Sequence, residues 1–98
     1  MNPFSQIDVD IALYRRLIRE PEYLETEDVL ELVAVIKTVH AELRDLPPDA
    51  VQRYGRIVNE LDEQLREIAR AHPQIFEVYS KDWESRVNIL EDELGWEL

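Results

Sequence analysis

From Val51 to His72 an apolar or ring-bearing residue returns at alternating steps of three and four: Val51, Tyr54, Val58, Leu61, Leu65, Ile68, His72. Side chains at that spacing line one side of an α-helix, whereas a strand would need a period of two. A seam this narrow has to be covered by another helix. The segment before it supplies one, because Val29, Val33, Ile36, His40 and Leu43 carry the same alternation. Leu30, Leu32, Val35 and Val39 widen that stripe, so this helix should be the most buried element, touched from more than one side. Leu46-Pro47-Pro48-Asp49 between them is too short for anything but a reversal. Folded back antiparallel, the stripes pair Leu43 with Val51, His40 with Tyr54, Ile36 with Val58, Val33 with Leu61 and Val29 with Leu65. Every layer is then apolar except His40 with Tyr54.

The flanking segments extend this pattern. Ser5 followed by Asp8 resembles a capping box, and Ile7, Ile11, Tyr14, Leu17 and Ile18 share a face up to Pro21. Thr26 reads as the N-cap of the second helix, with Glu27 and Asp28 in its first turn. Asp49 and Gln52 repeat the capping pattern for the third. Phe76, Tyr79, Trp83, Val87, Leu90 and Leu94 continue the three-and-four spacing, and Gly95 stands where a left-handed C-cap belongs. The expected fold is all-α: one domain over 1–98, a small four-helix bundle with helices of about 6–20, 27–45, 50–72 and 74–94. Its second and third helices form an antiparallel hairpin. The breadth of apolar surface on the second helix also suggests a homodimer.

Composition narrows the function classes. With 98 residues, 45% of them apolar, the chain can bury one core. It has no cysteine, which removes disulfides, thiolate metal sites and cysteine nucleophiles and favours a cytoplasmic location. The opening Met1-Asn2-Pro3-Phe4-Ser5-Gln6 has no basic cluster followed by an apolar run, so it does not read as a signal peptide. The formal net charge is −11. Such a balance disfavours direct binding to nucleic acid or to anionic membranes, both of which call on Lys and Arg. The acid excess is concentrated in 25–49 and 73–98.

Three constellations bear chemistry. His40 with Tyr54, Gly55 alongside, reads as a polar pair inside the core, with the glycine leaving room for the ring. Arg66-Glu67-Ile68-Ala69-Arg70-Ala71-His72 places a histidine six residues after an arginine. That spacing resembles the motif of HEPN-type ribonucleases, although Glu67 stands where that motif usually has Asn, Asp or His. His72 also complements the dipole at a helix C-terminus. Asp28 with Glu31, and Glu60 with Glu63, are carboxylate pairs each on one helix face, a set suited to Mg²⁺. Their arrangement resembles that of MazG-type nucleotide pyrophosphohydrolases. The resemblance implies a Mg-dependent enzyme, but Asp28 replaces the expected Glu and no Lys-rich phosphate-binding segment accompanies it.

The remaining charges read as solvated i,i+4 pairs: Asp49 with Arg53, Asp62 with Arg66, Glu77 with Lys81, Asp82 with Arg86. Glu91-Asp92-Glu93 near a helix C-terminus would oppose the dipole, which points to a use elsewhere. Tyr23 on a linker and Trp96 at the tail are the aromatics best placed to meet a partner. By elimination the chain reads as a non-enzymatic acidic module with no cofactor and no catalytic residue. It would dock Tyr23, Glu91, Asp92, Glu93 and Trp96 on a larger protein with a basic surface. Phage inhibitors of bacterial defence, antitoxins and immunity proteins are such modules, some imitating nucleic-acid phosphate. A structural subunit that only oligomerises is the remaining alternative.

Overall fold

The computed structural model describes residues 4–98; the first three residues of the N-terminal hexapeptide lie outside it. The protein is mostly helical. Three long helices, α1 (Ser5–Arg19), α2 (Thr26–Arg44) and α3 (Pro48–Ala71), are followed by a two-stranded hairpin of β1 (Glu77–Ser80) and β2 (Ser85–Asn88) and a short α4 (Ile89–Leu94). Single 3₁₀ turns at Pro21–Tyr23 and Pro73–Phe76 mark the exits from α1 and α3.

Helix ends depart from the expected caps. Phe4, not Ser5, precedes α1, and no side chain caps it. At α2 the capping box is Glu25 with Asp28: Glu25 accepts from the third helical residue and its own N–H donates to Asp28 Oδ2 at 3.0 Å. Thr26 is the first helical residue. Pro48 opens α3, where a missing N–H costs nothing, so Asp49 and Gln52 are not its cap.

α1 packs most extensively along α2. Ile7, Ile11, Tyr14 and Ile18 of α1 meet the core with Val29, Leu32, Val33, Val35, Ile36 and Val39 of α2. α1 and α3 run in the same direction, for Asp8 bonds Tyr54 and Tyr14 bonds Asp62, pairs that advance together along both helices. The register expected between α2 and α3 is not the one formed: His40 meets Asp62 instead of Tyr54, two turns further along α3. The seam of α2 is shared among α1, α3, the Pro73–Phe76 turn and α4, all of which touch it. Most of its wide apolar surface is thus met within the chain, with Leu30 left 51% exposed.

The helix expected over 74–94 is not formed. Residues 77–88 pair as an antiparallel hairpin in the register Glu77↔Asn88, Val78↔Val87, Tyr79↔Arg86, Ser80↔Ser85. The spacing of Phe76, Tyr79, Trp83 and Val87 imitates a helix, but Val78 and Val87 directly opposite, with Tyr79 beside them, are a β-branched and aromatic set suited to strands. Lys81–Glu84 make the turn, closed by Glu84 in the left-handed region at φ 49°. Asn88 then starts α4, its Oδ1 accepting from Leu90 N at 2.9 Å and Glu91 N at 3.3 Å. Gly95 ends it at φ 69°, with its N–H on Glu91 O and that of Trp96 on Leu90 O.

One carboxyl pair crosses the α1–α2 interface. Glu42 Oε2 is shut off from solvent. Burial first, then a hydrogen bond with Asp10 and its charge, push the Glu42 carboxyl up from 4.5 to about 7. A carboxyl whose pKa is raised by folding stabilises the protein fully below its unfolded value and loses that contribution as pH rises through the folded value. Thermal stability is therefore expected to fall between pH 5 and pH 8. Glu42→Gln, which keeps a donor for Asp10 without the charge, should flatten this segment of a melting-temperature profile. An unchanged slope in the variant would place the pH dependence elsewhere.

Candidate functional site

Two places gather polar chemistry, one inside and one on the surface. The inner one is a relay of three side chains from three helices. Asp62 on α3 is only 4% exposed. Its Oδ1 accepts from the Tyr14 hydroxyl at 2.6 Å and its Oδ2 meets His40 Nε2 at 2.8 Å. Tyr14 is fully buried, and burial, followed by the charge of Asp62, holds its hydroxyl well above the usual tyrosine range. It therefore stays a donor at any physiological pH. A buried carboxylate needs such partners, because leaving its oxygens unpaired costs several kcal/mol.

This relay replaces the expected His40–Tyr54 core pair. The His40 side chain is 42% exposed, so it is a half-open residue with its Nε2 anchored inward. Tyr54 turns to α1, donating to Asp8 Oδ1 at 2.8 Å and stacking obliquely on Phe4. Gly55 serves no ring: a Cβ there would meet nothing within 4 Å. The i,i+4 spacing with Arg66 predicts Asp62 on the solvated face, but Asp62 is buried. Its signal lies in position: it follows Leu61 and sits four after Val58, on the flank of the α3 seam where α1 closes over it. Arg66 instead binds Glu63 Oε1 at 2.6 Å and lies 4.4 Å from the centre of the Trp96 ring.

The candidate metal carboxylates are not gathered. Among the described residues no group of three or more His, Cys, Asp or Glu is placed to hold a metal ion. Asp28 is spent on the α2 cap, Asp28 and Glu31 share an open groove with Arg16 and Arg19, and Glu63 belongs to Arg66. The arginine and histidine of the ribonuclease-like spacing do not form a pair either. Arg66 is held by Glu63 and Trp96, and His72 is exposed at the C-cap of α3.

The surface place is the hairpin with α4. Trp83 at the turn is 69% exposed and Tyr79 on β1 is 62% exposed. Trp83 shares an open groove with Arg86, Glu91 and Asp92. Glu91 and Asp92 stand in the first turn of α4, where the dipole favours them, so the expected conflict with a helix C-terminus is lifted for these two and kept only for Glu93 in the last turn. Glu93 reaches Lys37 Nζ at 2.7 Å. Of the two aromatics singled out from sequence, Tyr23 is 72% exposed beside Arg16 and Arg19, while Trp96 is half-buried under Arg66. The exposed pair on the hairpin was hidden by the helix reading, which put Tyr79 and Trp83 on a buried stripe.

No helix among the described residues is long and apolar enough to cross a membrane. No known protein family, curated protein or solved structure matches the chain.

Proposed function

We propose that this protein is a non-enzymatic, acidic protein-binding module that docks the outer face of its β-hairpin and α4 on a basic surface of a larger protein. The observation that carries this reading is the exposure of Trp83, which shares an open groove with Arg86, Glu91 and Asp92, and of Tyr79 on the same hairpin. Large amphipathic aromatics left open on a small domain are the side chains that most often anchor interfaces. A net charge of −11 steers such a face toward a basic partner and raises the rate of encounter. Inhibitors, antitoxins and immunity proteins work in this way. Where the partner itself binds nucleic acid, the carboxylates compete by imitating phosphate. Tyr23, on the linker after α1, is a secondary contact.

The test is capture of partners from the native host's lysate on the immobilised protein at low and moderate salt. A basic protein should be retained at low salt and depleted at the higher, as attraction between exposed charges is screened. With that partner in hand, Trp83→Ala should weaken binding by about 2 kcal/mol, roughly thirtyfold in Kd. Reversing Glu91 and Asp92 to Lys should act mainly on the association rate. Retention indifferent to salt and to both changes would overturn the proposal.

A further inference from the structure

A second surface has the opposite character. Lys37, His40 and Arg44 follow one another along one side of α2, in a chain whose acids outnumber its bases 22 to 11. They form one wall of an open groove of about 520 Å³, a size ordinary for small-ligand sites. Leu94 and Trp96, from the end of α4 and the tail after it, form the other wall. Trp96 is braced by the Arg66 guanidinium, 4.4 Å from its ring centre.

Three features make this groove more than a crevice. The imidazole at its floor is held from behind, Nε2 on buried Asp62 at 2.8 Å, and Asp62 in turn takes the Tyr14 hydroxyl at 2.6 Å. A carboxylate behind an imidazole fixes the ring, and when both ring nitrogens carry a proton Nε2–H is directed to Asp62 and Nδ1–H is left to donate to an oxyanion. Nδ1 has no protein partner among the bonds of the described residues, and the side chain is 42% exposed. Lys37, finally, already holds an oxyanion: Glu93 Oε2 lies 2.7 Å from its Nζ, an ion pair in which both side chains are nearly half-exposed. Such exposed pairs contribute little and yield readily to a competitor.

We propose that this groove binds a small molecule carrying an oxyanion, carboxylate or phosphate, on a flat apolar ring. The oxyanion takes the place of Glu93 on Lys37 and is shared with His40 Nδ1 and Arg44; the ring lies against Trp96 and Leu94. Arg44 is free to turn toward it, since the one side-chain bond it makes among the described residues is a long one, 3.4 Å from Nε to the His40 carbonyl. The site shares α4 with the hairpin face but none of Tyr79, Trp83, Glu91 and Asp92, and it stands or falls without them.

The experiment is a titration of the whole chain with phenyl phosphate and, separately, benzoate. It follows the imidazole nitrogens of His40 and the indole N–H of Trp96 by NMR, with exposed His72 as the internal reference. Saturable shifts at His40 and Trp96 with His72 unmoved are expected for at least one probe, and the tighter probe identifies the oxyanion. Arg44→Met should weaken binding about tenfold or more, and Glu93→Gln, which frees Lys37, should tighten it several-fold. Both positions are exposed, so the backbone amide spectrum should be preserved. Two results would overturn the assignment: shifts that fail to saturate with either probe by about 10 mM, or an affinity the same in Arg44→Met as in the natural chain.

Discussion

Replacing Asp62 by Ala is expected to destabilise the protein by about 3 kcal/mol. In a domain of this size that lowers the melting temperature by roughly 15 °C. The loss has three parts. The Tyr14 hydroxyl, fully buried, is left without an acceptor. The bond to His40 disappears, at less cost because that ring can turn to water. A small cavity opens between α1, α2 and α3. The orphaned hydroxyl is the largest of these, since an unpaired buried donor loses the full desolvation penalty. A double-mutant cycle isolates it. Tyr14→Phe alone removes a charge-assisted hydrogen bond, but in the Asp62→Ala background it removes a liability, so the two losses should fall short of additive by about 1–2 kcal/mol. Asp62→Asn, which retains an acceptor for Tyr14, should lose less than Asp62→Ala. Thermal and urea unfolding of these five proteins, the natural chain included, decide this; strict additivity in the cycle would mean the relay contributes nothing as a unit.

Phe76→Ala is expected to cost about 4 kcal/mol, comparable to the whole stability of many small domains. Phe76 is completely buried at the end of the Pro73–Phe76 turn, which packs on both α2 and α3. It anchors the chain where it leaves α3 to form the hairpin. Tyr79→Ala, three residues on, should change stability by no more than about 0.5 kcal/mol, because that ring is already in solvent. The contrast is diagnostic. On one continuous helix Phe76 and Tyr79 would share a buried face and lose comparable amounts; on the observed hairpin they part company. Equal losses in urea unfolding would contradict the hairpin.

The same pair shows where sequence reading succeeds and where it stops. Over 51–72 the apolar seam is long, strictly periodic and bounded by prolines, and α3 forms there with Tyr54, Val58, Leu61 and Leu65 buried. α1 and α2 were legible for the same reason, within a residue or two at each end. Over 74–94 the apolar residues are spaced for a helix and also alternate as strands, and periodicity cannot separate the two in so short a run. Local chemistry held the answer: Val78 and Val87 favour strands, and Asn88 with Glu91 three residues later starts a new helix rather than continuing an old one.

The relay could not be read at all. Tyr14, His40 and Asp62 lie on different helices, and nothing in their spacing sets how far α3 slides past α2. In the packing formed, the Pro73–Phe76 turn and α4 also lie on α2, and His40 meets a carboxylate instead of Tyr54.

What the sequence determined by itself was the existence of three amphipathic helices, the left-handed stop at Gly95 and the strong negative charge. These follow from period, composition and single-residue backbone preference. What only the tertiary structure decided was register, the exposure of Trp83 and Tyr79, and the gathering of Lys37, His40, Arg44 and Trp96 around one groove. These depend on contacts between residues far apart in the chain, where each side chain's partner is chosen by how whole elements pack and not by its neighbours in sequence.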